Sequence, residues 1–321
     1  MSLAVVIVNW NSGELLQECL FALNRQTLRP DHIFIIDNAS SDGSASKINK
    51  QDNLSILSMD TNLGFAEGNN HAFQFCNTEY VALLNPDAFP EPDWLENLLA
   101  AAVLYPNVAA FGSSQLCANH PELLDGIGDN YHISGLVWRE GHGEKLLASG
   151  LVTRQIFSSC AAAALYRRDA LLAVGGFDSD YFCYVEDVDL GFRLRLAGYK
   201  AMHVPNAVVN HVGSVTTGGQ HSDFSVYHGH RNLVWTYIKD MPGFLFWAFL
   251  PLHLVLNLVS LLWFLARGQG RVIFRAKWDA INGIPSMWRK RKLIQSARIA
   301  TYGEILGMMD KRLFLWKRRA Q

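Results

Sequence analysis

Residues 79–94 read EYVALLNPDAFPEPDW, and they give the first indication of the fold. The apolar run 80–84 has the length and composition of a buried strand. It stops at Asn85-Pro86-Asp87, and an acidic segment interrupted by prolines follows. Asn, Pro and Asp often end strands by forming turns, so these three residues alone predict no more than a turn.

The segments before this strand alternate between short apolar runs and amphipathic helical patterns. The predicted elements, in chain order, are strands at 3–10, 32–38, 54–60 and 79–85 and helices at 13–26, 44–50 and 65–76. Unbroken apolar strands that alternate with helices are typical of a parallel sheet covered on both faces. The sequence therefore predicts an α/β domain with a mostly parallel central sheet.

Polar clusters stand at the carboxyl ends of all four predicted strands. They are Asn9-Trp10-Asn11, Asp37-Asn38, Asp60-Thr61-Asn62 and Asn85-Pro86-Asp87. In open α/β sheets, ligands bind beyond the carboxyl ends of the strands. Four clusters along one edge thus predict a binding site. Because no Gly-x-Gly-x-x-Gly follows the first strand and no P-loop motif occurs, neither a dinucleotide dehydrogenase nor a P-loop enzyme is indicated.

The net charge of −1 conceals an uneven distribution of charge along the chain. Residues 267–321 hold 14 Lys and Arg against 3 acidic residues, whereas residues 1–266 hold 14 basic and 26 acidic residues. A basic tail beside an acidic body predicts an anionic partner for the tail. The five scattered cysteines contain no C-x-x-C pair, so neither a disulfide framework nor a zinc knuckle is predicted.

The segment 244–266, FLFWAFLPLHLVLNLVSLLWFLA, carries no charged residue. As a helix it would be about 35 Å long, which is enough to cross a bilayer. A buried core helix is the alternative, but such helices are usually shorter and polar on one face. Membrane contact is the favoured interpretation, and anionic membrane lipids, not nucleic acid, are the expected partner of the tail.

Six stretches together resemble the family 2 inverting glycosyltransferases of the GT-A fold, especially the bacterial rhamnosyltransferase-like branch. They are VVIVNWNSGELLQECLFAL, IIDNASSDGS, NLGFAEGNN, LLNPDA, GGFDSDYFCYVEDVDLGFRLRLAGY and HVGS, in the family's order. The resemblance covers about 3–240 and implies a GT-A nucleotide-diphospho-sugar transferase domain over 1–240. It leaves 241–321 as a hydrophobic helix and a basic, helical, membrane-associating tail, with the boundary near Pro242-Gly243.

The resemblance implies that a sugar, such as rhamnose from dTDP-rhamnose, moves from a nucleotide donor to a lipid-linked or cell-surface polysaccharide acceptor. It also implies a divalent cation, Mg²⁺ or Mn²⁺, on Asp87 and His211, because a hard cation neutralises the donor pyrophosphate. The family's Asp-x-Asp signature begins here with Asn85, which leaves the metal fewer anionic ligands. A histidine beside an apolar run can also be a satisfied core residue, so that alternative for His211 stays open.

Contacts with the donor are expected from several strand ends and loops. The residues implied are Asn9, Trp10, Asp37, Gly64, Asn69, Asn85 and Arg231. Asp37 would bind the base or ribose, but it could instead close an Asx turn. Gly64 would permit close approach to the phosphates, and the asparagines that follow it could also face water. Arg231 matches phosphate geometry through its guanidinium.

The catalytic group is expected in the second half of the sequence, in YVEDVDLGFRLRLAGY. Asp189 stands four residues before Arg193, so the two are predicted to pair along a helix. An inverting transfer needs one base for the acceptor hydroxyl. The resemblance places that base at Asp187, with Glu186 beside the acceptor. Carboxylates in a first helical turn also stabilise the helix dipole without any catalytic role.

Two other hypotheses remain open: the same fold acting with a UDP- or GDP-sugar on another acceptor, and a catalytically inactive GT-A domain that binds carbohydrate or a partner. Since sugar nucleotides are cytoplasmic, the body is expected at the cytoplasmic face of the membrane. The positive-inside tendency then favours a peripheral or monotopic protein whose segment 244–266 lies in the interface or dips and returns. In that arrangement Arg289–Lys292 would contact anionic lipid.

Overall fold

The computed structural model describes residues 1–145, 152–213, 218–219 and 221–312. Its strands are β1 (Leu3–Asn9), β2 (His32–Asp37), β3 (Leu54–Ser58), β4 (Tyr80–Leu84), β5 (Ala88–Pro90), β6 (Val108–Cys117), β7 (His120–Gly126), β8 (Asp129–Tyr131), β9 (Val137–Arg139), β10 (Arg154–Ile156), β11 (Ala163–Arg167) and β12 (Lys200–His211). Its helices are α1 (Leu15–Asn24), α2 (Gly64–Phe73), α3 (Trp94–Leu104), α4 (Arg168–Ala173), α5 (Glu186–Leu196), α6 (Asp223–Asp240), α7 (Gly243–Ala266), α8 (Gly270–Ser296) and α9 (Tyr302–Met308).

The central sheet has the strand order β10-β12-β6-β11-β4-β1-β2-β3. Strands β3, β2, β1 and β4 are parallel, β11 is antiparallel to both of its neighbours, and β12 is parallel to β6. The predicted α/β fold with a mostly parallel sheet is therefore confirmed. The predicted helix at 44–50 is wrong in extent, because only a single 3₁₀ turn forms there, at Ala45–Lys47.

Apolar side chains alternate along β1, and they cover both faces of the sheet. Val5 and Ile7 join a core with Leu16 of α1 and with α3. Val6 and Val8 join a second core with α2 and α5. Burying a side chain of this size stabilises the fold by about 1.5–3 kcal/mol. The two cores fix β1 in the middle of the sheet, so the carboxyl ends of β1, β2 and β4 lie along one edge.

Helix α6 connects the sheet domain to the helices that follow it. α8 lies along α6, and Trp235 Nε1 donates to the Ala280 carbonyl at 3.0 Å. α7 packs on the same helix through Tyr237, whose ring stacks on His253 at 3.9 Å between centroids. The predicted apolar helix at 244–266 is confirmed as α7.

Buried charges hold α6 against α5. The ammonium of Lys239 is fully buried and lies 2.5 Å from Asp178, and it also contacts Asp189. Asp189 in turn accepts two hydrogen bonds from Arg193, at 2.9 and 2.7 Å, which confirms the predicted pair. A buried charge is tolerated only when it is paired, so Lys239 ties the start of α5 to the end of α6.

Lys239→Met should lower the free energy of unfolding by about 3–5 kcal/mol, because it removes one of the two cations paired with each of the buried carboxylates of Asp178 and Asp189. Urea denaturation of the purified chain measures this loss. Arg275→Met is the matched control: its ion pair with Asp279 lies at the surface, with 77% of the Arg275 side chain exposed, and should matter by no more than about 1 kcal/mol. Equal losses in the two variants would contradict a structural role for the Lys239 ion pairs.

Candidate active site

The first part of the site lies at the carboxyl ends of β1 and β2. Asn9 and Asp37 are register partners there, and Asn9 Nδ2 donates to Asp37 Oδ1 at 3.0 Å. Asn9 is fully buried, and its amide also donates to Ser40 and Ser44. The half-buried Asp37 carboxylate therefore stands in front of Asn9. Asn9 orients Asp37 from behind and does not itself reach the surface.

The loop before α2 is held from the same edge. Asn38 donates to Asn62 Oδ1 at 2.9 Å and to the Gly64 carbonyl at 3.0 Å. Gly64 has φ +79°, and a Cβ there would lie 2.6 Å from Phe182. Gly64 thus permits the close approach of the loop that contains Phe182, whereas the sequence predicts approach to the donor phosphates. Asn69 is also buried and donates to the Phe65 carbonyl at 2.8 Å, so both residues shape the site from within.

The second part of the site contains Asp87 and His211, which 124 positions of sequence separate. Strand β12 pairs antiparallel with β5, and its last residue, His211, is the register partner of Ala88. His211 Nε2 consequently lies 3.4 Å from Asp87 Oδ1. On the other side of the ring, Nδ1 hydrogen-bonds Asp125 at 2.7 Å. The imidazole is fixed between two carboxylates.

The electrostatics of this trio are dominated by its burial and its close contacts. Burial disfavours the imidazolium, but Asp125 and Asp87 outweigh it and raise the pKa of His211 to about 9. Burial also acts to raise the pKa of Asp125, but hydrogen bonds from His142 and His211 hold it well below its usual range. Both carboxylates are therefore ionised at neutral pH.

Asp87 and His211 fit a divalent cation. No group of three or more His, Cys, Asp or Glu side chains within the described residues forms a complete metal cage. However, His211 Nε2 is buried and has no hydrogen-bond partner among those residues, and it faces Asp87. A metal-binding histidine usually bonds a carboxylate through its other nitrogen, as His211 does to Asp125. Mg²⁺ and Mn²⁺ sites of this kind take their remaining ligands from water and substrate phosphates.

The third part of the site is the start of α5. Glu186 is buried, and its Oε2 has no hydrogen-bond partner within the described part of the chain. Asp187 is half-buried and accepts hydrogen bonds from the backbone amides of Ala161, at 3.3 Å, and Val188, at 2.8 Å. Burial raises the pKa of Asp187, and these amides offset only part of that effect. A raised pKa suits a carboxylate that must accept a proton.

Arg139 and Asp129 connect the second and third parts. The Arg139 guanidinium pairs with Asp125, and its charge also acts on Asp187. Asp129 accepts from Ser158 Oγ at 3.1 Å. Burial and the neighbouring Asp187 raise the pKa of Asp129. Arg139 is thus the cation that separates the acidic groups of the two parts.

The other residues predicted from the sequence lie at different depths. Trp10 is 37% exposed at the end of β1. The Asn85 side chain is half-buried and forms no hydrogen bond within the described residues. Arg231 donates to the carbonyls of Asp180, at 3.1 Å, and Tyr181, at 2.9 Å, so its guanidinium is largely committed to the loop before α5.

Sequence reasoning missed Asp125, Asp129 and Arg139. The first two lie in DGIGD, where glycines separate the acids, and this acid–glycine pattern was the available signal. Arg139 offered no signal, because its partners come from β7 and α5 and are distant in sequence.

Comparison with known proteins gives one family and several relatives. The profile of the family described as "Glycosyl transferase family 2" matches residues 4–175. N-acetylglucosaminyl-diphospho-decaprenol L-rhamnosyltransferase of Mycobacterium tuberculosis is 30% identical over 243 residues, which is 67% of this chain and 78% of that protein. The O-antigen chain rhamnosyltransferase RfbN of Salmonella typhimurium is 28% identical over 240 residues, covering 71% and 73% of the two chains.

Solved structures share the fold at lower identity. A mannosyltransferase from Pyrobaculum calidifontis, in complex with GDP-Man and Mn²⁺, has a TM-score of 0.53 at 18% identity and covers 92% of this chain and 85% of its own. GalNAc-T7, with UDP, GalNAc and Mn²⁺, has a TM-score of 0.60 at 15% identity. In that case 74% of this chain matches 48% of the other.

Asp125→Asn should weaken Mn²⁺ binding by about 10–100-fold, because an outer partner of a ligating histidine fixes its ring and raises its basicity. The asparagine keeps an accepting oxygen but loses the charge. Isothermal titration with Mn²⁺ measures the change. Asp310→Asn, which removes a carboxylate paired with Arg312 instead, is the control. Unchanged affinity in Asp125→Asn would remove Asp125 from the metal site.

Proposed function

The chain belongs to glycosyl transferase family 2, and from that premise we propose that it is a metal-dependent inverting glycosyltransferase that uses dTDP-rhamnose. The acceptor is a lipid-linked saccharide or a growing polysaccharide. The names of two relatives support this choice, since one acts on N-acetylglucosaminyl-diphospho-decaprenol and the other on an O-antigen chain. The observation that carries the proposal is the convergence of Asp187 and the Asp87–His211 pair, which Asp125 and Arg139 connect.

Asp187 is the proposed general base. The acceptor hydroxyl gives its proton to the Asp187 carboxylate as the oxygen bonds to the anomeric carbon. The bond from that carbon to the donor phosphate breaks in the same step, and the nucleoside diphosphate leaves. Burial and the neighbouring Asp187 raise the pKa of Glu186, which makes it a hydrogen-bond donor suited to orient the acceptor.

The nucleoside diphosphate is the proposed ligand of the part of the site that contains Asp87 and His211. Asp87 and His211 would hold Mg²⁺ or Mn²⁺, which when bound neutralises the charge that develops on the diphosphate. Asn85, whose amide is free of hydrogen bonds to the described residues, would contact the ribose, the phosphate or metal-bound water. Asp37 would bind the base or ribose, and Trp10 offers an exposed ring just after the end of the neighbouring strand β1.

Two alternatives have different consequences. A UDP- or GDP-sugar on another acceptor would use the same residues, since the choice of sugar depends on pocket shape. A catalytically inactive, carbohydrate-binding domain would have no use for a base of raised pKa beside a metal site. Retention of Asp37, Asp87, Asp187 and His211 in one arrangement favours the enzyme.

Transfer is tested with dTDP-rhamnose, UDP- and GDP-sugars and a polyprenyl-diphospho-N-acetylglucosamine acceptor, with Mn²⁺ or Mg²⁺. Release of the nucleoside diphosphate and product mass are the measurements. Asp187→Asn should lower turnover by about 10²–10⁴-fold and leave donor binding intact, because it removes the base and little else. Near wild-type turnover in this variant would refute the base assignment. Activity only with UDP- or GDP-sugars would favour the first alternative.

Membrane association is the second element of the proposal, and the surface of α7 supports it. α7 buries a narrow stripe of residues 245, 246, 253, 260 and 264 against the rest of the protein. Most of the remaining surface is apolar and exposed, and it includes Trp247, Leu258 and Leu262, which are 56–64% exposed. In α8, Phe274, Trp278 and Ile281 are similarly exposed. A contiguous apolar surface of this kind is typical of membrane contact.

Both ends of α7 contact the catalytic part, which favours an interfacial helix over a span. Near its start, Phe246 accepts a hydrogen bond at its carbonyl from Tyr237 Oη at 2.7 Å. Just beyond its end, Gln269 donates to Asp223 at 2.8 Å, at the start of α6. A helix that crossed the bilayer would separate these two contacts by the membrane. The proposed location is the cytoplasmic face of the membrane. Residues 1–240 would form the catalytic part and residues 241–321 the membrane part. Residues 313–321 lie outside the described residues.

The predicted contact of Arg289–Lys292 with anionic lipid needs correction for two of the four residues. Lys290 pairs with Asp180 at 2.8 Å, and Arg291 is buried and donates to the Ile238 carbonyl at 2.9 Å. Both side chains contact residues of the catalytic part and hold α8 to it. Arg289 and Lys292 are exposed and remain available to lipid headgroups.

Leu258→Glu with Leu262→Glu should reduce co-sedimentation with phosphatidylglycerol vesicles by about 100-fold, since each leucine contributes about 1.5–3 kcal/mol on transfer from water. The matched control is Val103→Glu with Leu104→Glu, which are equally exposed but lie at the end of α3. The control should bind like the unaltered protein. Equal loss in both double variants would mean that negative charge alone causes the effect.

A further inference from the structure

The backbone immediately before the proposed base adopts an unusual conformation. Phe182, Tyr184 and Val185 have φ values of +64°, +65° and +70°. Residues other than glycine rarely adopt the left-handed region, and for a β-branched residue such as Val185 it is a clear outlier. Val185 is also the residue from which α5 begins. Such a segment persists only where its surroundings hold it, and strained segments of this kind cluster at functional sites.

One side chain holds most of this segment. Asn232, on α6, is fully buried, and its Nδ2 lies within hydrogen-bond distance of three carbonyl oxygens. The distances are 3.0 Å to Tyr181, 2.9 Å to Cys183 and 2.7 Å to Tyr184. Its Oδ1 accepts from Arg231 Nε at 2.9 Å. A single amide therefore contacts three carbonyls within the four residues 181–184, just before helix α5 starts.

Other contacts also hold this segment and the residues just before it. The Phe182 carbonyl accepts from the Ala66 amide at 3.1 Å, and the Arg231 guanidinium reaches the carbonyls of Asp180 and Tyr181. The carbonyls of Cys183 and Tyr184, which are nearest to α5, bond to Asn232.

We propose that Asn232 is a positioning residue for the base: by holding segment 182–185, in which three residues have positive φ, it sets where α5 begins and hence where the Asp187 carboxylate points. The kinetic part of this inference rests on the proposed transferase function. Among the described residues, the Asp187 carboxylate accepts hydrogen bonds from the backbone amides of Ala161 and Val188, so its position depends on where the first turn of α5 lies. Asp37 and Asp87 belong to other parts of the sheet domain, so the donor contacts proposed for these two residues should not depend on Asn232.

Asn232→Ala should lower kcat by about 10–100-fold and leave the KM for the sugar nucleotide roughly unchanged, because a displaced catalytic group affects the chemical step and not donor affinity. Thr236→Val is the matched control. Thr236 is one turn further along α6, is equally buried and bonds Tyr181 Oη at 2.9 Å, but it does not contact the carbonyls of 183–184. It should lose stability without loss of kcat.

Rescue separates positioning from a general packing defect. Glycine adopts positive φ without steric cost, so Val185→Gly in the Asn232→Ala background should restore part of the lost kcat. A merely structural Asn232 predicts the opposite, a further loss, because glycine removes packing and adds freedom to the unfolded chain. If Asn232→Ala does not fold, Asn232→Ser, which keeps one donor, takes its place in the same comparison. An unchanged kcat, or equal losses of kcat in the Thr236 control, would overturn the proposal.

Hydrogen exchange distinguishes failure of this inference from failure of the proposed function. Amides of residues 183–187 should exchange faster in Asn232→Ala than in Thr236→Val, whether or not a sugar donor is known. If the unaltered protein transfers no sugar from any donor tested, the proposed function fails while exchange still reports whether Asn232 holds the segment. If the protein is active and the segment loosens without loss of kcat, the positioning role alone is refuted.

Discussion

A lysine buried without access to water dictates much of this structure. The charge of Lys239 is compatible with folding only because Asp178 and Asp189 lie against it, and these carboxylates come from the loop before α5 and from α5 itself. Once they are paired, α6 cannot shift relative to α5. Helix α6 also carries Asn232 on one turn and contacts α7 and α8 through other turns. Segment 182–185 and the apolar surface of α7 and α8 are therefore both held by α6.

The candidate active site uses charge in two different ways. Around His211, two ionised carboxylates create a place for a cation. Around Asp187, burial disfavours ionisation and raises the pKa of the carboxyl group, although Arg139 and the backbone amides act against it. Arg139 connects the two groups: it pairs with Asp125, and its positive charge also acts on Asp187. The proposed metal binding and proton acceptance would need these two different environments.

Helices α7 and α8, which carry the apolar surface, are joined to the catalytic part because both pack on α6. Lys290 links α8 to the loop that contains Asp178 and Asp180. A protein held at a bilayer by these helices would present its site at a fixed distance from the lipid surface. An acceptor carried on a lipid would meet the site at that distance, which suits a transferase of lipid-linked saccharides.

The sequence by itself determined the parallel half of the sheet, the helix at α5 with its Asp189–Arg193 pair, and the apolar helix α7. Each depends on local periodicity or on residues one helical turn apart, and such patterns need no knowledge of distant partners. It also placed Asp37 and Asp87 at strand ends. Only the tertiary structure decided that Asn9, Gly64 and Asn69 support the site from within, that Asp125 orients His211, and that Asn232 holds the backbone before Asp187. These depend on strand pairing and helix packing between residues tens to more than one hundred positions apart, for which a single sequence carries no local signal.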